Sequence, residues 1–353
     1  MIVIGTDTHK RTHTAVAVVA GTGELQSELT ARALPAGFAE MLAWGQGLDG
    51  ERVWAIEDCR HVSAGLERFL VARGERVVRV APKLMGASRK AARSAGKSDS
   101  IDALAVARAA VAEGPGSLPA ATVDEQAHEI KLLLDHHDDL VAQRSDDQRR
   151  LRWHLHDLWP ELELPAGCLD RERWLTRIAR RLARAEQSTR VKICRELVLA
   201  IRSRTRRIRE LERELRVLIA AKAPQLLELP GCGALTAARI VGDLGDVTRF
   251  ASDAKLARLA GVAPVPVSSG LRDRHRLDRG GNRKLNCAFH RLAVTQGRIH
   301  PQARDYLTRK QAEGRTRMDA LRCLKRHLVR RVFNLLTQPN TTSPALKTTP
   351  ALT

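Results

Sequence analysis

Met1-Ile2-Val3-Ile4-Gly5-Thr6-Asp7 is an apolar run that stops at a carboxylate, and the segments after it decide the fold. A polar turn (His9, Lys10, Arg11, Thr12) leads to a second run, Thr14 to Ala20. Gly21-Thr22-Gly23 then turns the chain into a third run near Glu24 to Thr30. Short apolar or β-branched runs between turn residues read as strands, and glycine breaks between them as hairpins. Beyond this meander the period changes. A helical pattern from Gly37 to about Gly47 places Phe38, Met41 and Leu42 on one face. Val53-Trp54-Ala55-Ile56 is a short buried strand ending at Glu57-Asp58. Val62 to Ala72 is an amphipathic helix stopped by Gly74, and Arg76 to Val80 a further strand closed by Pro82. A last helix runs from about Ser100 to Glu113.

Three strands in a meander followed by alternating helix and strand is the order of an RNase H-like domain. In such an open sheet the carboxyl ends of adjacent strands converge on one crevice. Asp7 ends the first strand and Glu57 the later parallel one, so the two are expected as neighbours. Asp58 competes with Glu57, but strand alternation turns it the other way. In Gly96-Lys97-Ser98-Asp99-Ser100-Ile101-Asp102-Ala103-Leu104, Asp99 and Asp102 stand three apart on one helix face. One reading is an N-terminal cap, with Ser98 or Asp99 capping and acids favoured in the first turn. The other is four carboxylates, Asp7, Glu57, Asp99 and Asp102, around one or two hard cations suited to phosphoryl transfer.

Composition supports a nucleic-acid substrate. The 353-residue chain, long enough for two or three domains, holds 60 Lys and Arg against 40 acids, a formal net charge of +20. Aromatics are 3% of residues, too few for a base-stacking platform. Cys59, Cys168, Cys194, Cys232, Cys287 and Cys323 form no CxxC pair and read as reduced thiols of a cytoplasmic protein, with no zinc site. No signal peptide and no membrane span are expected.

Gly114-Pro115-Gly116-Ser117-Leu118-Pro119 reads as a linker. Long helices are expected over about Asp124–Leu158 and Arg190–Ala223, with a shorter one near Arg171–Arg184. Ile201, Ile208, Leu211, Leu215 and Leu218 form the stripe of an antiparallel helical hairpin or coiled coil. The polar face of that helix, with Arg204, Arg206, Arg207 and Arg209, is either a solvated surface or a dimerising arm along a phosphate backbone. Leu229-Pro230-Gly231-Cys232-Gly233-Ala234 is either a helix-hairpin-helix DNA element, with Gly231 and Gly233 cradling phosphate, or a plain interhelical turn. Val267-Ser268-Ser269-Gly270 reads as a loop. Arg272, Arg274, Arg276 and Arg279 come after it, then Gly280-Gly281-Asn282-Arg283-Lys284. Such a set could hold a phosphodiester beside a hydroxyl nucleophile.

Gly5-Thr6-Asp7, Ala55-Ile56-Glu57, Val80-Ala81-Pro82 and Lys97-Ser98-Asp99-Ser100-Ile101-Asp102-Ala103 together resemble the DEDD domain of the insertion-sequence-110 family of transposases, a domain similar to the RuvC junction resolvase. The family usually has Asn where this chain has Ala81, and a longer signature where it has Asp58-Cys59. The order Pro230-Gly231, Thr236-Ala237, Ser268-Ser269-Gly270 and Gly281-Asn282-Arg283 resembles the transposase domain of the same family, so the two halves together extend the resemblance over about residues 1–335. Leu271 stands where a second glycine is common.

The Thr/Pro/Ser-rich tail over 336–353 reads as disordered. With the helical pattern above, the resemblance implies an α/β RNase H-like (RuvC-like) domain over 1–115, a helical coiled-coil middle over 116–222 and a mostly α transposase domain over 223–335. It implies a recombinase dependent on Mg²⁺, with Mn²⁺ as substitute, that moves its own insertion sequence through a 5′-phosphoserine at Ser268. A structured non-coding bridge RNA would choose donor and target DNA. The composite site would be built by a homodimer assembling to a tetramer, in a bacterial cytoplasm at the nucleoid. Lys97, Arg204, Arg206, Arg207, Arg209, Gly231, Gly233, Arg272, Arg274, Arg276, Arg283 and Lys284 would hold nucleic acid. The alternatives are a metal-only resolvase-like nuclease, in which Ser268 is a plain loop residue, and a non-catalytic nucleic-acid-binding protein.

Overall fold

In the computed structural model, residues 1–58, 60–82, 84–85, 98–269, 272–277 and 280–338 are described. Lys97, Cys59, Gly270, Leu271, Arg279 and all but the first residues of the expected tail lie outside them. The chain divides into two compact units, Met1–Asp124 with Thr248–Ala251, and Glu125–Val247 with Ser252 onward.

The first unit is built on a five-stranded sheet of order β3-β2-β1-β4-β5. Its strands are β1 (Ile2–Thr8), β2 (Thr12–Val19), β3 (Leu25–Arg32), β4 (Arg52–Glu57) and β5 (Val77–Val80). β1 pairs antiparallel with β2, and β2 with β3, while β4 runs parallel to both β1 and β5. This is the RNase H-like order expected from the sequence. The helices are α1 (Pro35–Gln46), α2 (Arg60–Val71) and α3 (Asp99–Glu113). Strand alternation sorts the core into two layers. Val3, Val16, Val18, Val53 and Ala55 pack with Ala103, Val106 and Ala107 of α3. Ile2, Ile4, Ala15, Ala17, Trp54 and Ile56 pack on the other face with Met41 and Leu42 of α1 and Leu66 and Leu70 of α2. β1 is central, and all seven of its residues are buried.

Gly5 sets how closely α3 lies on the sheet. A Cβ there would fall 2.3 Å from the Ala103 carbonyl oxygen and from the Ala107 nitrogen. The stretch read as a linker ends α3 but then returns to the sheet. Arg79 donates its N–H to the Pro119 carbonyl and Ala121 to that of Val77, each at 2.9 Å, so residues 119–121 run antiparallel along β5. Such non-local pairing has no local signature.

The second unit is mostly helical: α4 (Glu125–Leu158), α5 (Glu172–Arg184), α6 (Thr189–Lys222), α7 (Ala234–Leu244), α8 (Asp253–Leu259), α9 (Arg283–Ile299), α10 (Pro301–Ala312) and α11 (Arg317–Thr337). α4 and α6 are antiparallel, because Arg190 pairs with Asp157, Arg204 with Asp147 and His137 with Glu212. The stripe of α6 is buried at Ile201, Ile208, Leu211 and Leu215. Its last position is taken by Ile219 rather than Leu218, which is half-buried.

One expectation needs correcting. Ser268 and Ser269 lie on a strand rather than in a loop: β6 (Pro264–Ser269) pairs antiparallel with β7 (Arg272–Leu277) in a two-stranded hairpin. Pro264 and Pro266 hide this strand from a propensity reading. A two-stranded ribbon has free edges, where a residue without an N–H is tolerated.

Candidate functional site

Asp7 is the penultimate residue of β1, on the same alternation as Val3 and Gly5, and therefore toward α3. Glu57 ends β4 one position past the Thr6–Ile56 pair and alternates with Val53 and Ala55, again toward α3. Asp58 alternates the other way, and its charge acts on Arg79, which is hydrogen-bonded to Glu67 of α2. Ser98 caps α3 by accepting a hydrogen bond from the Ile101 N–H. The cap and the carboxylate pair are thus compatible: Ser98 caps while Asp99 and Asp102 ride on the first turn. The partial positive charge of that helix end offsets part of their repulsion.

His9 is the residue that sequence reasoning passed over as part of a polar turn. Its backbone N–H donates to Thr12 O at 3.0 Å and closes the β1–β2 hairpin. Its Nε2 lies 3.0 Å from Asp7 Oδ2 and 3.3 Å from Asp99 Oδ1. Ligand-capable atoms of Asp7, His9 and Asp99 all fall within 4.8 Å of one another. The usable signal was the strand period, since Gly5, Asp7 and His9 stand two apart.

The electrostatics of this corner favour a cation. Asp7 is 3% exposed, and its Oδ2 is buried without a properly formed hydrogen bond. Burial pushes its carboxyl up from the ordinary range; His9 pulls it down, and Asp102 and Asp99 push it up again, leaving it raised. A buried carboxylate beside two others is costly unless a positive charge joins them. The donor set is oxygen-rich, as hard divalent cations prefer. The residues fit a metal site.

In the second unit the serine hairpin is held at its base. Asn282 caps α9 by accepting from the Leu285 N–H, and its own N–H donates to Leu259 O. Asn286 Nδ2 donates to the carbonyls of Ala260 and Gly261 at 3.0 and 2.7 Å, and Lys325 Nζ donates to Asn286 Oδ1 at 2.7 Å. Burial and Arg322 push the Lys325 ammonium below its ordinary value. A Cβ on Gly281 would meet Gly261 N at 2.2 Å, so this crossing is as close as backbones allow. In the hairpin register Ser268 pairs with Asp273, Ser269 with Arg272, Val267 with Arg274 and Val265 with Arg276.

The basic residues separate into groups. Arg204 pairs with Asp147 across the α4–α6 interface and Arg207 with Glu210, whereas Arg206 and Arg209 line a groove of about 820 Å³. Arg202, Arg213 and Arg216 line it too, with Asp170, Glu172 and Glu212 at its sides. Arg202 pairs with Glu172 at 2.7 Å; Arg206, Arg209 and Arg216 make no ion pair among the described residues. The hydroxyl of Thr205, also on the groove, is buried without a partner.

Lys284 is bound to Asp135 at 2.7 Å, beside Lys131 and Arg239. Burial works against the charge of Asp135, but these donors hold its carboxyl well below the usual range. Arg283 is exposed at the start of α9. Gly231, at φ +78, packs against Thr295, and the neighbouring Pro230 carbonyl accepts from Gln296. Gly233 precedes α7 in open space.

Residues 4–160 match the transposase family DEDD_Tnp_IS110, and residues 223–308 match the Transposase IS116/IS110/IS902 family. The chain belongs to the IS110 family of transposases. It is therefore a DNA-cleaving enzyme of insertion-sequence transposition. The "Insertion element IS116 uncharacterized 44.8 kDa protein" of Streptomyces clavuligerus is 28% identical over 337 residues, 83% of this chain and 84% of that one. The "Insertion element IS110 uncharacterized 43.6 kDa protein" of Streptomyces coelicolor is 37% identical over 132 residues, 36% of this transposase and 32% of that protein. A solved structure of T. thermophilus RuvC in complex with Holliday junction substrate is 15% identical with a TM-score of 0.27. It covers 34% of this chain and 99% of that chain, a likeness too low to bear on the fold, which rests on strand order. Among the described residues no helix is long and apolar enough to cross a membrane.

Proposed function

We propose that this transposase cuts and rejoins DNA through a covalent serine intermediate at Ser268, assisted by a divalent ion, Mg²⁺ or Mn²⁺, held by Asp7, Glu57, Asp99 and Asp102. The observation that carries the reading is the buried Oδ2 of Asp7, which has no well-formed hydrogen bond and meets only the half-exposed His9 ring, beside Asp99 and Asp102 on the first turn of α3. When bound, the ion supplies positive charge to the phosphate and to the departing oxygen. Asp7 and Glu57 would hold it from the sheet, and Asp99 and Asp102 from α3. The Ser268 Oγ–P bond forms as the bond from P to the 3′-oxygen breaks; the serine proton leaves to solvent, and the 3′-oxygen takes one up. The product is a 5′-phosphoserine, and a 3′-hydroxyl of the partner strand reverses the step to join strands.

The groove of α6 supports binding of a nucleic-acid backbone. Arg206 to Arg216 spans about 15 Å of helix, the axial length of roughly four phosphates on one strand. Glu172, Asp170 and Glu212 beside that row provide acceptors suited to ribose 2′-hydroxyls, in keeping with a structured bridge RNA as guide. Arg272, Arg274, Arg276 and Arg283 belong to the serine hairpin and its flank, where donor and target DNA would lie. A homodimer assembling to a tetramer would complete the composite site, with the carboxylates of one subunit serving the serine of another.

A nicked suicide substrate tests the chemistry. Wild-type protein should yield a protein–DNA adduct that survives denaturation, and Ser268→Ala should lose it while retaining RNA binding. Ser269→Ala should keep the adduct. Asp7→Asn and Glu57→Gln should lose cleavage with binding intact. Strand joining by Ser268→Ala would refute the covalent step and favour a metal-only resolvase reaction.

A further inference from the structure

We propose that His9 is a nitrogen ligand of the ion in this site, so that the transposase prefers Mn²⁺ to Mg²⁺. The inference rests on the reading of the carboxylates as a metal site and adds a fifth, chemically different donor to it. His9 Nε2 sits 3.0 Å from Asp7 Oδ2 and 3.3 Å from Asp99 Oδ1. Two donors on adjacent corners of an octahedron with bonds of about 2.1 Å are about 3 Å apart, so both separations suit neighbouring ligands of a single ion.

The main chain that carries the imidazole is also fixed in place: His9 stands one residue past the end of β1, two after Asp7, and its N–H bond to Thr12 O closes the hairpin. The ring is half exposed, facing solvent where water or a phosphate oxygen would complete the coordination sphere. The two carboxylates hold the exposed ring where it stands, and the same position offers Nε2 to an ion that they share. Mg²⁺ holds to carboxylate, carbonyl and water oxygens; Mn²⁺ shares that oxygen preference but, as the first member of the transition series, accepts an imidazole nitrogen more readily than Mg²⁺ does. Replacing one oxygen position by Nε2 therefore shifts selectivity toward Mn²⁺ without altering the charge of the carboxylate set.

Pulsed electron paramagnetic resonance on the full-length protein loaded with Mn²⁺ alone tests this, because the echo envelope is modulated by a directly bound nitrogen. The wild type should show nitrogen modulation. His9→Ala, checked for native circular dichroism, should lose the modulation while still binding Mn²⁺. Its Mn²⁺ affinity should fall by about tenfold or more, the lower end of what losing even an outer-shell partner costs. Its Mg²⁺ affinity should change much less. His9→Asn, which keeps the hydrogen-bonding capacity, should also lose the modulation. Mn²⁺ bound through Asp7 with no nitrogen coupling in the wild type would overturn the assignment, as would modulation that persists in His9→Ala. If Asp7→Asn leaves Mn²⁺ binding unchanged, the metal reading of the carboxylates falls with it, and the two failures are told apart by that variant.

Discussion

Gly5→Ala ties the packing of the sheet to the chemistry most directly. The new Cβ would fall 2.3 Å from Ala103 O and Ala107 N and 2.6 Å from Ala107 Cβ, against ordinary contacts of 3.4–4 Å. Two of the three atoms are backbone, so no rotamer relieves the clash, and α3 must retreat from β1 by about 1 Å. Overpacking of this kind costs about 1–3 kcal/mol, less the few tenths to 1 kcal/mol that removing a glycine recovers from the unfolded chain. For a unit of this size the net of about 0.5–2.5 kcal/mol lowers the melting temperature by roughly 2–10 °C. Asp99 and Asp102 ride on the displaced helix while Asp7 and Glu57 stay on the sheet. A misplacement of about 1 Å is enough to slow a reaction about 100-fold. Thermal melts and single-turnover cleavage should therefore move together, and Mn²⁺ affinity should fall with them. Gly21→Ala, where a Cβ meets nothing within 4 Å, is the matched control and should be silent in all three. A Gly5→Ala protein with wild-type melting and wild-type Mn²⁺ affinity would refute the claim that this glycine sets the carboxylate geometry.

Asp7→Asn should stabilise the metal-free protein at neutral pH, since it removes a buried charge that Asp102 and Asp99 oppose. The sign comes from the raised carboxyl: its contribution to stability is present below the ordinary aspartate range and lost as pH rises through the raised value, so the wild type in chelator should lose stability over that window and Asp7→Asn should not. Melts in EDTA across pH measure this, and a less stable metal-free Asp7→Asn at neutral pH would count against it. Replacing Arg206, Arg209, Arg213 and Arg216 together by Gln should flatten the slope of log affinity against log salt by up to about 3.6 on duplex DNA, or about 2.8 on a single strand. Arg204→Gln should instead lower the melting temperature through the loss of its Asp147 pair, with little change in slope; the reverse pattern would return the groove to an ordinary solvated face.

Local periodicity carries most of the fold that is legible in the sequence. The seven-residue run of β1, the Gly21–Gly23 hairpin and the change from period two to helical spacing suffice for the strand order, and Asp7 and Glu57 then fall at adjacent strand ends without further information. His9 obeys the same two-residue period. It goes unread because the turn residues around it suggest solvent, and only its distance to Asp99, from a segment ninety residues on, makes it part of the site. Arg204 and Arg206 look alike along one helix; which of them faces the groove depends on Asp147, in a helix whose register against α6 is set by buried residues far apart in the chain. The same holds for the serine strand, whose prolines argue against β structure locally. Its anchor runs through Asn286 to Lys325, a buried ammonium held by an amide oxygen. The residues that local pattern misses are thus mostly those whose partners come from distant segments, and they are the ones that fix where the carboxylates and the serine stand.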